Sequence, residues 1–363
     1  MPVKLIRIIV VILFFFFSQT VFSQQIQPGF NAIEYKELLE MVGKLRDSMP
    51  EVSTLKYKLI YRSPRVGFQN CYEAWEGING KGVIHIQGTI ASAVSWLANF
   101  YCPMVKAKGQ LQINDSTLFD YKLAENENAY VHTGWLTSLA HMAPGILTQI
   151  NNFQVKGINQ IYLVGHSQGG AITFLLTSYL RHLQLDGKLD KNIVFKSYCS
   201  AAPKPGNLYY AYDFDFITRN GYAYRVVNTE DWVPEAPFSL QTVNDFNNTN
   251  PFTGAKEFIR KQKLITRIYL NSVYNKLNCS STKAMKTFRK QLGKKLFKMV
   301  KKNLPQYKEP HYVYSQNYMP AGVPVVLMAD ADYKSKFVFD GKNVFVHHLL
   351  KPYVDLLDKH YAK

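Results

Sequence analysis

The residues with the clearest chemical potential are Gly165-His166-Ser167-Gln168-Gly169-Gly170. A serine flanked at two residues' distance by Gly165 and Gly169 fits a tight strand-to-helix turn, where larger side chains would clash. Such a turn holds the hydroxyl out for attack on an acyl carbonyl. It also aims the first helical amide, that of Gln168, at the place where an oxyanion forms. The surroundings suit this reading. Ile161-Tyr162-Leu163-Val164 reads as a buried strand before the serine, and Gln168 to Leu183 reads as a helix after it. The pattern points to acyl transfer through Ser167. Rival chemistries find little support: there is no C-x-x-C, no histidine pair at metal-ligand spacing and no Gly-x-x-x-x-Gly-Lys. Neither a metal nor a cofactor is implied.

Positioning such a turn requires a sheet with helices on both faces, and the flanking sequence supplies the pieces. Ala32 to Leu45 has helical spacing. Val83-Ile84-His85-Ile86 is a short strand, Val131 to Phe153 carries a helical pattern, and Ile193 to Ala201 and Tyr222 to Asn228 read as further strands. Val323 to Met328 resumes as a strand and His347 to His360 as a terminal helix. Strand and helix alternating at this spacing imply an α/β fold with a mostly parallel sheet. With 47% hydrophobic and 19% charged residues, the chain of 363 is too apolar for a disordered tail and long enough for one large domain.

Residues 1–23 read as a signal peptide, with Lys4 and Arg7 before an apolar run from Ile8 to Phe17 and Gln24 as the mature start. That run rises only about 15 Å as a helix, half of a bilayer core of roughly 30 Å. An uncleaved signal anchor is the alternative. The expectation is export to a periplasm or beyond, with residues 24–363 as the mature domain. In an oxidising compartment Cys71, Cys102, Cys199 and Cys279 could form one disulfide at most, with Cys199 packed in a strand.

Five stretches together resemble the class 3 (fungal-type) lipases. They are Ile86-Gln87-Gly88-Thr89, Val131-His132-Thr133-Gly134-Trp135, the Gly165–Gly170 turn, Ala202-Pro203-Lys204-Pro205-Gly206-Asn207, and Arg225-Val226-Val227-Asn228 with Asp231-Trp232-Val233-Pro234. They follow the family's order across residues 83–237. Gln87 stands where the family carries Arg, and Gln168 where it carries Leu. The resemblance implies an α/β-hydrolase fold with Ser167 as nucleophile, Asp231 as the acid that orients the base, and a histidine later in the chain. His311, His347, His348 and His360 qualify by order. The family's five-residue spacing to an aromatic selects His348, before Tyr353, with His347 as its neighbouring rival. The oxyanion hole would be the amides of Thr89 and Gln168, with the Thr89 hydroxyl as third donor. His132 would be structural, bonding near the nucleophile strand.

The formal charge of +17 is concentrated in one insert, residues 244–310. From Lys256 to Lys302 there are 15 basic residues and one acid, Glu257. Apolar spacing suggests two basic amphipathic helices there. The insert is open to three readings: a solvated surface element, a lid or docking surface for anionic lipid, or a nucleic-acid site, the last without a recognised fold signature or stacking platform. The expected activity is hydrolysis of lipid carboxylic esters. A non-catalytic lipid- or envelope-binding protein on the same fold, or an acyltransferase using the same residues, are the alternatives. Oligomeric state and substrate head group are not legible.

Overall fold

The computed structural model describes residues 25–44 and 56–361. The segment read as a signal peptide lies outside them.

A seven-stranded sheet forms the centre: β1 Tyr57–Arg62, β2 Tyr72–Gly77, β3 Gly82–Ile86, β4 Gln160–His166, β5 Val194–Ser200, β6 Ala223–Asn228 and β7 Val323–Leu327. The strands lie side by side in chain order. β1 to β3 are antiparallel neighbours, and from β3 onward every pair is parallel. The register brings Ile86 beside Gly165 and His166 beside Ser200. The loops that leave β3, β4 and β6 therefore emerge at one edge, the carboxyl edge, where open α/β sheets place their sites.

Alternation in β4 explains both covering layers. Ile161 and Leu163 join one core cluster, while Tyr162 and Val164 join the other. The first is covered by α3 Thr133–Val155 and α4 Gln168–Leu185; the second by α1 Ala32–Lys44 and α6 Leu350–Tyr361. A further short helix, α2 Ala93–Phe100, follows the β3 loop and packs on α3. On the α1 face, Glu34 accepts hydrogen bonds from the hydroxyls of Tyr162 and Tyr198, and Lys196 pairs with it at 2.6 Å. Lys196 is buried there, and a charge so covered is tolerable only with such a partner.

Two boundaries differ from the sequence expectation. The basic insert is not two helices of equal standing. A short helix, Ala255–Arg260, precedes α5 Leu264–Phe288, which runs through a π-helical stretch, Arg289–Lys295, into Leu296–Asn303. No proline interrupts the run, and Gly293 lies where an added Cβ would meet Pro103 at 3.0 Å and Tyr312 at 3.2 Å. The terminal helix starts at Leu350, not His347. Pro352 is the cause: it is tolerated in a first turn but cannot give the N–H that a helix begun earlier would send to the His348 carbonyl. All four cysteines are free thiols, and Cys199 is fully buried in β5.

Candidate active site

Ser167 is the single residue between β4 and α4. Its backbone takes φ 62°, ψ −130°, a region that non-glycine residues seldom occupy. The turn holds because Ser167 N–H donates to the Ser200 carbonyl at 2.9 Å, and because its flanks have no side chains. A Cβ at Gly165 would sit 2.3 Å from the Gly169 backbone, and one at Gly169 would sit 2.2 Å from the Ile86 carbonyl oxygen. Glycine at both places lets helix, turn and β3 close on one another.

Asp231 lies in the turn that ends β6, closed by its own N–H to the Asn228 carbonyl at 3.1 Å. Its carboxylate is enclosed. Oδ1 accepts from Val233 N–H at 3.0 Å, and Oδ2 accepts from Tyr353 O–H and from His348 Nδ1, both at 2.8 Å. An acceptor at Nδ1 fixes the proton there and leaves the lone pair on Nε2. That Nε2 is buried and has no hydrogen-bond partner, Ser167 included, so the contact that passes a proton must tighten around substrate. The loop before α6 carries the ring into place. His348 N–H donates to the Phe345 carbonyl at 2.9 Å, and the His348 carbonyl, left free by Pro352, accepts from His166 Nε2 at 2.7 Å. His166, the residue before the nucleophile, thus ties the base to the elbow, its ring centroid 4.9 Å from that of His348. Ser200 Oγ, 3.0 Å from His166 Nδ1, holds its other side.

His347 faces elsewhere. Its Nδ1 meets the Tyr333 hydroxyl at 3.0 Å, and its carbonyl accepts from Asn228 at 3.0 Å. His311 and His360 are absent from the cavity walls, and His360 bonds the Met328 carbonyl.

Thr89 follows β3, and Gln168 opens α4, where first-turn amides have no acceptor within the helix. The sequence did not disclose what supports them. Asn99, on α2, donates from Nδ2 to Thr89 Oγ at 3.0 Å. Because that oxygen is the acceptor, its own proton remains free for the cavity. Asn99 Oδ1 in turn accepts from Gln168 Nε2 at 2.8 Å and from Trp135 Nε1 at 3.1 Å. Gln168 Nε2 also reaches the Ser95 carbonyl at 3.0 Å, and its Oε1 accepts from Asn70 at 3.2 Å. A leucine at 168 could make none of these bonds. One asparagine therefore ties together two of the expected oxyanion-hole residues. Gln87 makes no ion pair, and its buried Oε1 has no partner.

His132 serves structure, though at a different place from the one the resemblance implies. It accepts from Trp135 N–H at 3.3 Å as the cap of α3, meets the Asn99 carbonyl at 3.2 Å and stacks on Trp135 at 3.6 Å. The nucleophile strand is not its partner. Complete burial pushes its pKa down to about 3, so it stays neutral and is no rival base. His85 and His182 are buried against Glu73 and Asp213 respectively.

Ser167, His348, Thr89 and Gln168 line one cavity of about 770 Å³. Its remaining wall is largely apolar: Trp96, Phe100, Trp135, Trp232, Phe238, Phe345 and Leu349, with Phe288 and Leu292 reaching in from the basic insert. Cavities of this kind take a mostly apolar ligand held by few polar contacts. Among the described residues, no group of three His, Cys, Asp or Glu side chains could hold a metal ion.

A serine on a strained strand-to-helix turn, an imidazole bonded to a buried carboxylate, and Thr89 and Gln168 on the wall of one largely apolar cavity are the parts expected of a serine hydrolase. Residues 83–241 match the model of the lipase (class 3) family. Over that segment the chain is similar to the class 3 lipases. It is a serine carboxylic-ester hydrolase for lipid esters. The matched segment holds the β3 loop, the elbow and the Asp231 turn; His348 lies beyond it. Solved structures that resemble the chain include a triacylglycerol lipase from Penicillium expansum, at 16% identity over 57% of this chain and 74% of that one, TM-score 0.42. The triacylglyceride lipase of Rhizomucor miehei is 19% identical over 56% of this chain and 75% of its own, TM-score 0.41. A lipase from Yarrowia lipolytica is 17% identical over 59% and 78%, TM-score 0.41. No curated protein matches in sequence.

Proposed function

We propose that this chain is a class 3 lipase that hydrolyses lipid esters through an acyl-enzyme on Ser167. The Ser167 hydroxyl attacks the ester carbonyl while His348 Nε2 takes its proton. Asp231 holds the imidazole at Nδ1 and stabilises the imidazolium that forms. The oxyanion is met by the amides of Thr89 and Gln168 and by the Thr89 hydroxyl. His348 then gives the proton to the departing alcohol. In the second half, water is deprotonated by His348 and attacks the acyl carbon; the bond to Ser167 Oγ breaks, His348 returns the proton to that oxygen, and the acid is released.

The single observation that carries this reading is the His348–Asp231 bond of 2.8 Å, made by a ring whose other nitrogen is unpartnered in the cavity that Ser167 lines. Residues 1–23 support export, and the basic insert supports work at an anionic lipid surface. Rapid quenching after mixing with a p-nitrophenyl ester, followed by peptide mass analysis, tests the chemistry. Acyl mass on the peptide with Ser167 is the expected result; turnover without any acylated peptide would refute it. Mass analysis of exported protein tests the leader, the expected first residue being Gln24.

A further inference from the structure

Helix α5 presents water with an apolar face that no other described residue covers. It packs chiefly against the short helix before it and the π-helical stretch after it, and only Met285 along it is buried. Ile265 is 84% exposed, and Leu264, Ile268, Tyr269 and Leu277 are exposed too. Ile265, Ile268 and Tyr269 share one face at helical spacing, with Leu264 and Leu277 at its margins. The same face continues as Lys276, Lys283 and Lys286 toward the π-helical stretch, where Lys290 follows. Among the described residues, only Arg260 of the 15 basic residues from Lys256 to Lys302 has a carboxylate within reach, Glu257 at 3.9 Å.

We propose that α5 lies in the headgroup layer of an anionic phospholipid bilayer, its isoleucines among the acyl chains and its lysines on the lipid phosphates. Two features together select this occupant. Unpaired cationic charge calls for an anionic partner, and exposed isoleucine and leucine call for a hydrocarbon one; a charged lipid surface satisfies both, whereas nucleic acid leaves the isoleucines in water. The helix is also continuous with the catalytic cavity. Its last residue, Phe288, and Leu292 one turn beyond line that cavity, beside Phe238, which is 79% exposed. Docking through α5 therefore brings the cavity mouth to the bilayer. The consequence for substrate, an ester drawn from the membrane, rests on the proposed hydrolase reading; the binding itself does not.

Co-sedimentation of the full mature chain with phosphatidylcholine vesicles, with and without phosphatidylglycerol, tests the proposal. Binding should require phosphatidylglycerol. Reversing three charges (Lys283→Glu, Lys286→Glu, Lys290→Glu) should weaken it by at least about a hundred-fold, since loss of each lysine alone is worth roughly five-fold and reversal more. Ile265→Asp with Ile268→Asp should weaken it at least ten-fold. Both variants should keep wild-type hydrolysis of a short soluble ester, which shows that they fold. Ser167→Ala should sediment as wild type does, so a failure of the hydrolase reading would leave this result standing. Equal binding to both vesicle types, binding retained by both variants, or an Ile265-dependent dimer that excludes vesicles would overturn the proposal.

Discussion

Replacing Asn99 by alanine should damage catalysis more than substrate binding. The side chain makes three bonds at once: to Thr89 Oγ at 3.0 Å, from Gln168 Nε2 at 2.8 Å and from Trp135 Nε1 at 3.1 Å. Without it the Thr89 hydroxyl is no longer held with its proton toward the oxyanion. Loss of a whole oxyanion donor costs about 3 kcal/mol in comparable enzymes. Here the hydroxyl is misdirected and the two amides remain, so about 1–3 kcal/mol is the expected loss, or roughly a five- to 150-fold fall in kcat. Substrate binds before the charge develops, so KM should change little and kcat/KM should fall with kcat. Two donors lose an acceptor, which costs stability by about 1–3 kcal/mol. The assay is steady-state kinetics on a short p-nitrophenyl ester, together with affinity for a boronic acid that mimics the tetrahedral intermediate. Boronate affinity should fall in step with kcat. A variant with lowered Tm but unchanged kcat and boronate affinity would refute the reasoning and reduce Asn99 to packing.

Asp231→Asn should lower kcat by about 10⁴ with little change in fold, because the amide no longer fixes the productive tautomer of His348; pH-independent kcat near wild type would argue against the pairing. Gly165→Ala should abolish soluble expression or activity, since its Cβ falls 2.3 Å from the Gly169 backbone, and Ser167 labelling at the wild-type rate would show that the turn can open. His132 supplies a pH dependence. Its pKa falls from 6.5 to about 3 on folding, so the unfolded chain binds the extra proton and stability drops as pH falls from 6.5 toward 3, by about 1.4 kcal/mol per unit. His132→Asn should flatten the slope of Tm against pH over that range, and an unchanged slope would count against a neutral buried His132.

What the sequence disclosed was local. The elbow needs only a serine, two glycines, a strand and a helix within ten or so residues, and each has its own signature. The strands β3 to β7 were likewise legible as apolar runs; in β3 to β5 a parallel sheet buries both faces, whereas β7 is an edge strand that leaves Val323 and Val326 exposed. The choice between His347 and His348 was harder, since adjacent residues in a turn point in different directions. That direction is set by the Phe345–His348 turn and Pro352, which are local, and by His166, which meets His348 only in the folded chain. Asn99 left no trace at all in one dimension: its partners Thr89, Trp135 and Gln168 meet it only once α2 has packed beside the carboxyl edge of the sheet. The insert declared its charge by composition, but its link to the cavity through Phe288 and Leu292 depends on how a long helix folds back.

Labelling by a fluorophosphonate tests the central claim most directly, because it reads the nucleophilicity of Ser167 without regard to natural substrate. The wild-type protein should take up one phosphonate, on Ser167, and Ser167→Ala none. His347→Ala should label at close to the wild-type rate, while His348→Ala should be slower by at least about a thousand-fold. An intact, folded protein that never reacts, or one whose labelling survives loss of His348, would contradict the catalytic assembly described above.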